Sequence, residues 1–298
     1  MKFAFVGAPL YGELEIAGVG PPKVCAPIGS VEVLQEDCLR SNHRLVPGLK
    51  EDKFAKELFE LTCADAALGR MTYPKVVAEC DLETVRAHPR FAVDQGVKVD
   101  GTRKLRAVDN MSWSAKLESG GHQRMSKKRL RVGSINGHCA AHESVKHDHV
   151  DDLAAGMAKF IQCTKQLPAL WKADVDSAFR RVPLRPDHRW ASAIAFLYMG
   201  QVFMSLHAAC PFGATSSVYA WERIGALLCT LARRVLHLAV YRYVDDFFGI
   251  ERCAAGHVVC VVCVCETFVA QGRNDGACYA LFRQISESSH GSNCDCEA

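Results

Sequence analysis

The first part of the chain passes from a segment without periodicity to segments with regular hydrophobic spacing. Residues 1–50 are rich in Gly and Pro and predict an irregular lead-in. Residues 51–68 carry apolar side chains three and four positions apart, with acids in the first turn and a glycine after the end, which predicts a helix. Within 91–109, the dipeptide Asp100-Gly101 separates two runs and predicts an antiparallel hairpin whose second strand is basic.

The second part of the chain predicts a helix, then strands around one long helix. Apolar residues line one face of the first helix, and a proline follows it. The predicted elements are a helix over 150–167, a strand over 169–176, a hairpin around Met199-Gly200 within 190–206, a long helix over 214–238 with Thr215 or Ser216 as its N-cap, and strand, acidic turn and strand over 240–250.

Composition is that of an ordinary globular protein. At roughly 150 residues per domain, 298 residues suggest about two domains or one large one. Hydrophobic residues make up 49% and charged residues 23%, which excludes a disordered, collagen-like or coiled-coil chain. The 15 cysteines, without a convincing secretion signal, predict reduced thiols in an intracellular protein of the cytoplasm or nucleus. No apolar run is long and uncharged enough to predict a membrane span, so no membrane partner is expected.

Positive charge is concentrated in one segment. The net charge of +3 is too mild to indicate a nucleic-acid partner, but residues 98–131 contain ten basic and three acidic side chains. The run Lys127, Lys128 and Arg129 lies within this segment and is a candidate contact for nucleic-acid phosphates. A solvated basic face or loop would have the same composition.

Two acidic sites have the residue types of phosphoryl-transfer chemistry. Asp174 ends an apolar strand, and Asp245 and Asp246 occupy a hairpin turn flanked by aromatic residues. Carboxylates clustered in apolar strands are costly to bury, and hard divalent cations relieve their repulsion. Two cations ~3.5–4 Å apart can stabilise the attacking and leaving oxygens of such a reaction. Either site alone could be an ordinary polar turn.

The order and context of these acids resemble motifs A, B and C of reverse transcriptases, especially the retrotransposon type. The segments are DVDSAFRRVPL, CPFGATSSVYAWERIG and YRYVDDFFG, and the upstream VKVDGTRKLRAVDN resembles the fingers hairpin of the same family. The resemblance covers about 91–250. It implies an α+β fold of the right-hand polymerase type, with fingers and a palm whose antiparallel sheet is backed by helices.

The resemblance assigns the metal site. Asp174, Asp245 and Asp246 would be the catalytic carboxylates, with the Val175 carbonyl as a further ligand, around two Mg²⁺ ions, for which Mn²⁺ could substitute. One ion would lower the pKa of the primer 3′-hydroxyl, and the other would hold the triphosphate and the leaving pyrophosphate. The implied partners are an RNA or DNA template with primer and deoxynucleoside triphosphates.

The resemblance also assigns nucleotide and primer contacts. Phe179 would be the steric gate that excludes a 2′-hydroxyl, and Tyr243 would lie by the primer end. The remaining residues of this pocket would be Pro211, Phe212 and Gly213, with Gly213 allowing close backbone approach. Each assignment has a purely structural alternative. Phe179 could be an ordinary core residue, Tyr243 an ordinary strand residue, and residues 211–213 the turn that enters a helix.

The basic fingers strand departs from the family pattern. The family places one base four residues before the aspartate that corresponds to Asp109, and this chain has Leu105 there. Lys104 and Arg106 flank that position, and a shift of one residue turns a strand side chain to the other face. Both are therefore kept as candidates for contacting the triphosphate.

The sequence predicts four regions, and only a short part of the chain follows the acids. The predicted regions are an irregular lead-in over 1–50, a fingers-like region over 51–168, a palm over 169–270 and an irregular tail over 271–298. Only 52 residues follow Asp246, too few for a thumb and an RNase H segment, which we expect in a longer polyprotein. A fragment with weak or no activity, a non-catalytic nucleic-acid-binding remnant and an RNA-dependent RNA polymerase stay open as alternatives. The cysteines near 260 and the histidines near 147 are weaker metal candidates. The cysteines are better interpreted as buried thiols, and the histidines as part of a polar segment that leads into the next helix.

Overall fold

The computed structural model describes residues 6–97, 101–114 and 134–252. The predicted contacts Lys127, Lys128 and Arg129 and the C-terminal cysteines lie outside these ranges. The helices are α1 Val31–Glu36, α2 Cys38–Leu45, α3 Ala55–Ala67, α4 Val150–Thr164 and α5 Thr215–Arg234. The strands are β1 Gly12–Leu14, β2 Lys75–Val76, β3 Ala87–Val97, β4 Arg103–Asp109, β5 Cys139–Ala141, β6 Ala169–Asp174, β7 Ala193–Tyr198, β8 Gln201–Leu206, β9 Ala239–Tyr243 and β10 Asp246–Glu251.

The described strands form three sheets. A five-stranded sheet has the order β2-β8-β7-β3-β4, in which only β3 and β7 are parallel neighbours. A three-stranded antiparallel sheet has the order β6-β10-β9, and β1 pairs in parallel with β5. Sheets and helices of comparable extent make this an α+β fold, as predicted.

The hairpins predicted within 91–109 and 190–206 are confirmed. Strands β3 and β4 pair antiparallel, with Phe91 opposite Val108. Strands β7 and β8 join through Met199 and Gly200, which have φ values of 51° and 73°. Two positive φ angles are the signature of the two-residue turn whose twist matches that of paired strands.

Helices pack against the three-stranded sheet and join it to the rest of the molecule. Helix α5 contacts β9, and α4 contacts both β9 and β10. Trp171, Trp221 and Phe247 belong to the same buried apolar cluster as Leu58 of α3 and Phe196 of β7. This apolar cluster therefore connects the three-stranded and five-stranded sheets.

The prediction of an irregular segment over residues 1–50 is wrong for the described part. This segment contains β1, α1 and α2, and Leu34, Cys38 and Leu45 are buried. The Asn42 side chain donates to the carbonyls of Leu82 and Val85. The two helices are short and carry polar residues between their few apolar ones, so hydrophobic periodicity did not reveal them.

The predicted N-cap of the long helix is also wrong. Ala214 occupies the cap position, and its side chain cannot accept a hydrogen bond. The Thr215 amide instead donates to Asn136 Oδ1 at 2.7 Å, from a segment 79 residues earlier. A capping partner so distant in sequence lies outside any local cap pattern. In the described ranges, no helix combines the length and apolar character needed to cross a bilayer.

Candidate active site

Three predicted carboxylates lie at adjacent strand ends. Asp174 ends β6, Asp246 begins β10, and the two are direct Cα partners across the antiparallel pair. Side chains of directly opposed residues lie on the same face of a sheet. Asp245 precedes β10, and its carbonyl accepts a hydrogen bond from the Val175 amide at 3.2 Å. The fold thus brings together acids separated by 71 positions in the sequence.

Mutual repulsion and a neighbouring lysine define the electrostatics of this acid cluster. Partial burial, followed by the charges of Asp245 and Asp246, raises the pKa of Asp174. Lys172 Nζ lies 2.9 Å from Asp246 Oδ2, and this contact raises the pKa of the lysine. Lys172 is two residues before Asp174, hence on the same face of β6. Sequence reasoning missed it, although the two-residue period was the available signal.

The acids and the Val175 carbonyl offer the type of ligand that a hard cation prefers. Their present arrangement, however, does not gather them around one point. Carboxylate and carbonyl oxygens are the ligands that Mg²⁺ prefers. Within the described part of the chain, however, no three His, Cys, Asp or Glu side chains are gathered closely enough to hold a metal ion. The Lys172 ammonium neutralises Asp246 instead. Side-chain rotation away from Lys172 would free the Asp246 carboxylate for a cation.

A cleft of about 350 Å³ separates the acids from the basic hairpin strand. Lys104 and Arg106 both line it, together with Asp174 and Asp245. Arg103 makes a different contact, an ion pair with Asp94 at 2.6 Å. Both candidate bases therefore lie on the acid-cluster cleft.

Aromatic residues form one wall of this region. Phe212 lines the cleft, and the Arg106 guanidinium lies 5.3 Å from the centre of its ring. The half-buried Phe179 packs edge-on against Phe212 with ring centres 5.5 Å apart. Pro211 is buried. Phe179 contacts the core and also lies near the cleft, so its position agrees with both predictions for it, a steric gate and a core phenylalanine.

Gly213 has a specific backbone role. Its φ of 99° is unfavourable for residues with a side chain, and an added Cβ would overlap the carbonyl oxygen of Asp109. The close approach expected at this glycine therefore involves the end of β4. It brings the start of α5 against the basic hairpin.

Tyr243 lies at the end of β9, beside the acidic turn. Its side chain is 58% exposed, and its ring centre lies 4.9 Å from that of His147. It is therefore accessible beside the acids. His149 occupies the N-cap position of α4. Among the described residues, neither His147 nor His149 belongs to a group of three side chains that could hold a metal ion.

No family model and no curated protein matches this sequence. Among solved structures, the chain is similar to the native crystal structure of the prototype foamy virus protease-reverse transcriptase, with 16% identity and a TM-score of 0.42. The similarity covers 85% of this chain and 24% of that chain. The chain thus spans about a quarter of the length of the viral protein.

Sequence reasoning did not identify an ionic network of largely buried residues, most of which line the cleft. Arg180 Nη2 lies 2.9 Å from Asp65 Oδ2, and Arg90 Nη1 lies 3.6 Å from Asp109 Oδ1. His207 lies between these two ion pairs. Arg180 donates a hydrogen bond to its Nδ1, and its Nε2 lies 2.9 Å from Asp109 Oδ2. The network links α3, the basic hairpin and the turn after β6.

Opposing effects set the pKa values in this network. Burial alone would raise the pKa of Asp109, but Arg90 and His207 outweigh burial and hold the pKa well below its ordinary value. Burial, followed by the Arg180 charge, lowers the pKa of His207 to about 4. Asp109 is therefore ionised and His207 neutral at neutral pH.

Proposed function

We propose that the acid cluster and its cleft form the active site of an RNA-directed DNA polymerase, a reverse transcriptase of the retroelement type. The observation that carries the proposal is the direct cross-strand pairing of Asp174 with Asp246, with Asp245 adjacent, at a cleft lined by Lys104 and Arg106. Nucleotidyl transfer needs carboxylates from separate strands on one side of the reacting phosphate and positive charge on the other.

The acids and the Val175 carbonyl would hold two Mg²⁺ ions, or Mn²⁺ in their place. The bound metal would supply a lowered pKa at the primer hydroxyl and charge stabilisation on the phosphates. The side chain of Lys172 has to leave Asp246 before that carboxylate can bind a cation. Since the Lys172 side chain is 64% exposed, its rotation into water meets little steric resistance.

The cleft bases would orient the incoming deoxynucleoside triphosphate. Lys104 and Arg106 would bind its phosphates, and such charge-assisted contacts fix position more than they select a base. Phe179 would exclude the 2′-hydroxyl, supported by its packing on the cleft-lining Phe212. Template and primer would lie past Tyr243, and the run 127–129 remains a candidate phosphate contact.

A non-catalytic nucleic-acid-binding remnant is the second candidate. The contact of Lys172 with Asp246 favours it, because an internal ammonium can replace a metal as the counter-ion of an acid cluster. An RNA-dependent RNA polymerase is less well supported, since a bulky Phe179 at the sugar would leave little space for a ribose hydroxyl.

Primer extension with matched variants separates these candidates. The protein would be assayed on primed homopolymer RNA with Mg²⁺, with ribonucleotides in a parallel arm. We expect extension with deoxynucleotides, because the acids and the cleft bases are the groups that nucleotidyl transfer needs. Asp245→Asn should lower the rate at least ~10²-fold, the usual cost of removing a charge-stabilising group.

Asp187→Asn is the control, because Asp187 is an exposed carboxylate paired with Arg185 at 2.5 Å. It should leave extension unchanged. Extension that survives Asp245→Asn would refute the assigned site. If the protein binds duplex and Mn²⁺ but fails to extend, the remnant is correct. Preferred ribonucleotide incorporation would identify an RNA polymerase.

A further inference from the structure

The turn between β9 and β10 has an unfavourable backbone conformation just before the acid pair. Val244 has a φ of 55°, in the left-handed region. A β-branched side chain rarely adopts this conformation, because its Cβ crowds the backbone. Such a residue persists only where surrounding contacts over-determine it. The turn that presents Asp245 and Asp246 must therefore be held from outside.

Three side chains bind the Val244 backbone. Trp221 Nε1 donates to the Val244 carbonyl at 2.8 Å, and Arg242 Nη1 donates to the same oxygen at 2.9 Å. The Val244 amide points to His147 Nδ1 at 3.4 Å. Trp221 and Arg242 are both buried. Both backbone polar groups of Val244 thus have side-chain partners, and two buried donors determine where its carbonyl points.

A buried carboxylate holds the arginine in place. Arg242 Nη2 lies 2.8 Å from Glu222 Oε2, and both side chains are about 95% buried. Helix α5 makes room for the pair at Gly225, where an added Cβ would lie 2.9 Å from Arg242 Cδ. Glycine within a helix lowers stability, so its presence indicates a packing requirement. Because a buried ion pair contributes little net stability, its value here is geometric.

We infer that Trp221, Arg242 and Glu222 are positioning residues that hold the acidic turn in its reactive geometry, a role that rests on the proposed polymerase function. Glu222 orients Arg242, and Arg242 and Trp221 fix the Val244 carbonyl. This fixes the plane of the peptide that leads into Asp245. Without the donors, the peptide rotates to relieve the left-handed backbone, and the Asp245 carboxylate moves with it.

The test removes one donor and keeps the packing. Trp221→Phe retains an aromatic ring but loses the Nε1–H bond to Val244. Amide exchange measured by NMR reports the turn directly through the Val244 amide and the Val175 amide, which donates to Asp245. We expect exchange to accelerate about tenfold at both, the scale set by one lost hydrogen bond. In primer extension, kcat should fall ~10-fold with the nucleotide KM within ~2-fold, since only alignment is lost.

A rescue and a control distinguish positioning from general destabilisation. Adding Val244→Asn to Trp221→Phe should recover most of both effects, because Asn tolerates a left-handed backbone. Trp190→Phe removes a comparable indole bond, 3.1 Å to the Tyr11 hydroxyl, and should change neither measurement. If Trp221→Phe does not fold, Arg242→Lys replaces it, since one ammonium cannot reproduce the two-sided guanidinium contact.

Parent-like exchange in the donor variant, or failure of Val244→Asn to rescue, would overturn the inference. The result is separable from the proposed function. A parent protein without extension refutes the polymerase, whereas amide exchange still decides whether these residues hold the turn.

Discussion

Replacing His207 with glutamine should make the protein markedly less sensitive to acid. His207 is fully buried, accepts a hydrogen bond from Arg180 at Nδ1 and faces Asp109 with Nε2. A nitrogen that accepts from a guanidinium carries no proton, so His207 is neutral with the proton on Nε2. Glutamine offers a carbonyl oxygen to Arg180 and an amide to Asp109, but it cannot titrate.

The magnitude follows from the shifted pKa. Burial and Arg180 lower the pKa of His207 from 6.5 to about 4 in the folded protein. The unfolded chain therefore binds a proton first, and stability present above pH ~6.5 is lost as the pH falls toward ~4. The full loss is about 3 kcal/mol, at ~1.4 kcal/mol per pKa unit. About 2 kcal/mol of it falls between pH ~7 and ~5.

Urea denaturation at the two pH values measures this difference. The parent should lose ~2 kcal/mol more free energy of unfolding on acidification than His207→Gln does. His88 is also buried, and burial is the main cause that lowers its pKa to about 3; it is present in both proteins, so most of its contribution cancels in the comparison. His43→Gln is the control, because His43 is exposed on α2 and should change the pH dependence far less.

Parallel pH dependence in parent and His207→Gln would refute the reasoning. The imidazole can also be followed directly by NMR in the parent, which keeps the prediction testable if the variant folds poorly. A His207 resonance that titrates near its ordinary value in the folded protein would show that burial does not suppress protonation.

Two further substitutions examine the wall of the cleft. Gly213→Ala should lower the free energy of unfolding by more than ~2 kcal/mol, because it combines a positive φ with overlap on the Asp109 carbonyl. Gly200→Ala, at positive φ in open space, should cost ~1 kcal/mol. Equal losses in denaturation experiments would refute the overlap. Phe179→Val removes the ring beside Phe212 and should allow ribonucleotide incorporation within ~10-fold of deoxynucleotides. Discrimination equal to that of the parent in single-nucleotide extension would exclude Phe179 as the gate.

The sequence alone predicted the elements whose signals are local. The hairpin at Met199-Gly200, the helix of 150–164 and the strand-turn-strand around Asp245 follow from hydrophobic period and turn chemistry within a few residues. The motif order also predicted which acids should meet. The Cα pairing of Asp174 with Asp246 agrees with that expectation, while their catalytic role stays a prediction.

Only the tertiary structure determined the partners of the polar groups. Arg180 pairs with Asp65 across 115 positions, and Asn136 caps a helix 79 positions later. Trp221 holds a carbonyl of the acidic turn from a separate helix. Such contacts depend on which faces pack together, and burial then requires each polar group to find whatever partner lies opposite. Hydrophobic periodicity indicates that a face is buried, but the identity of the residues opposite it is set by the packing of distant segments.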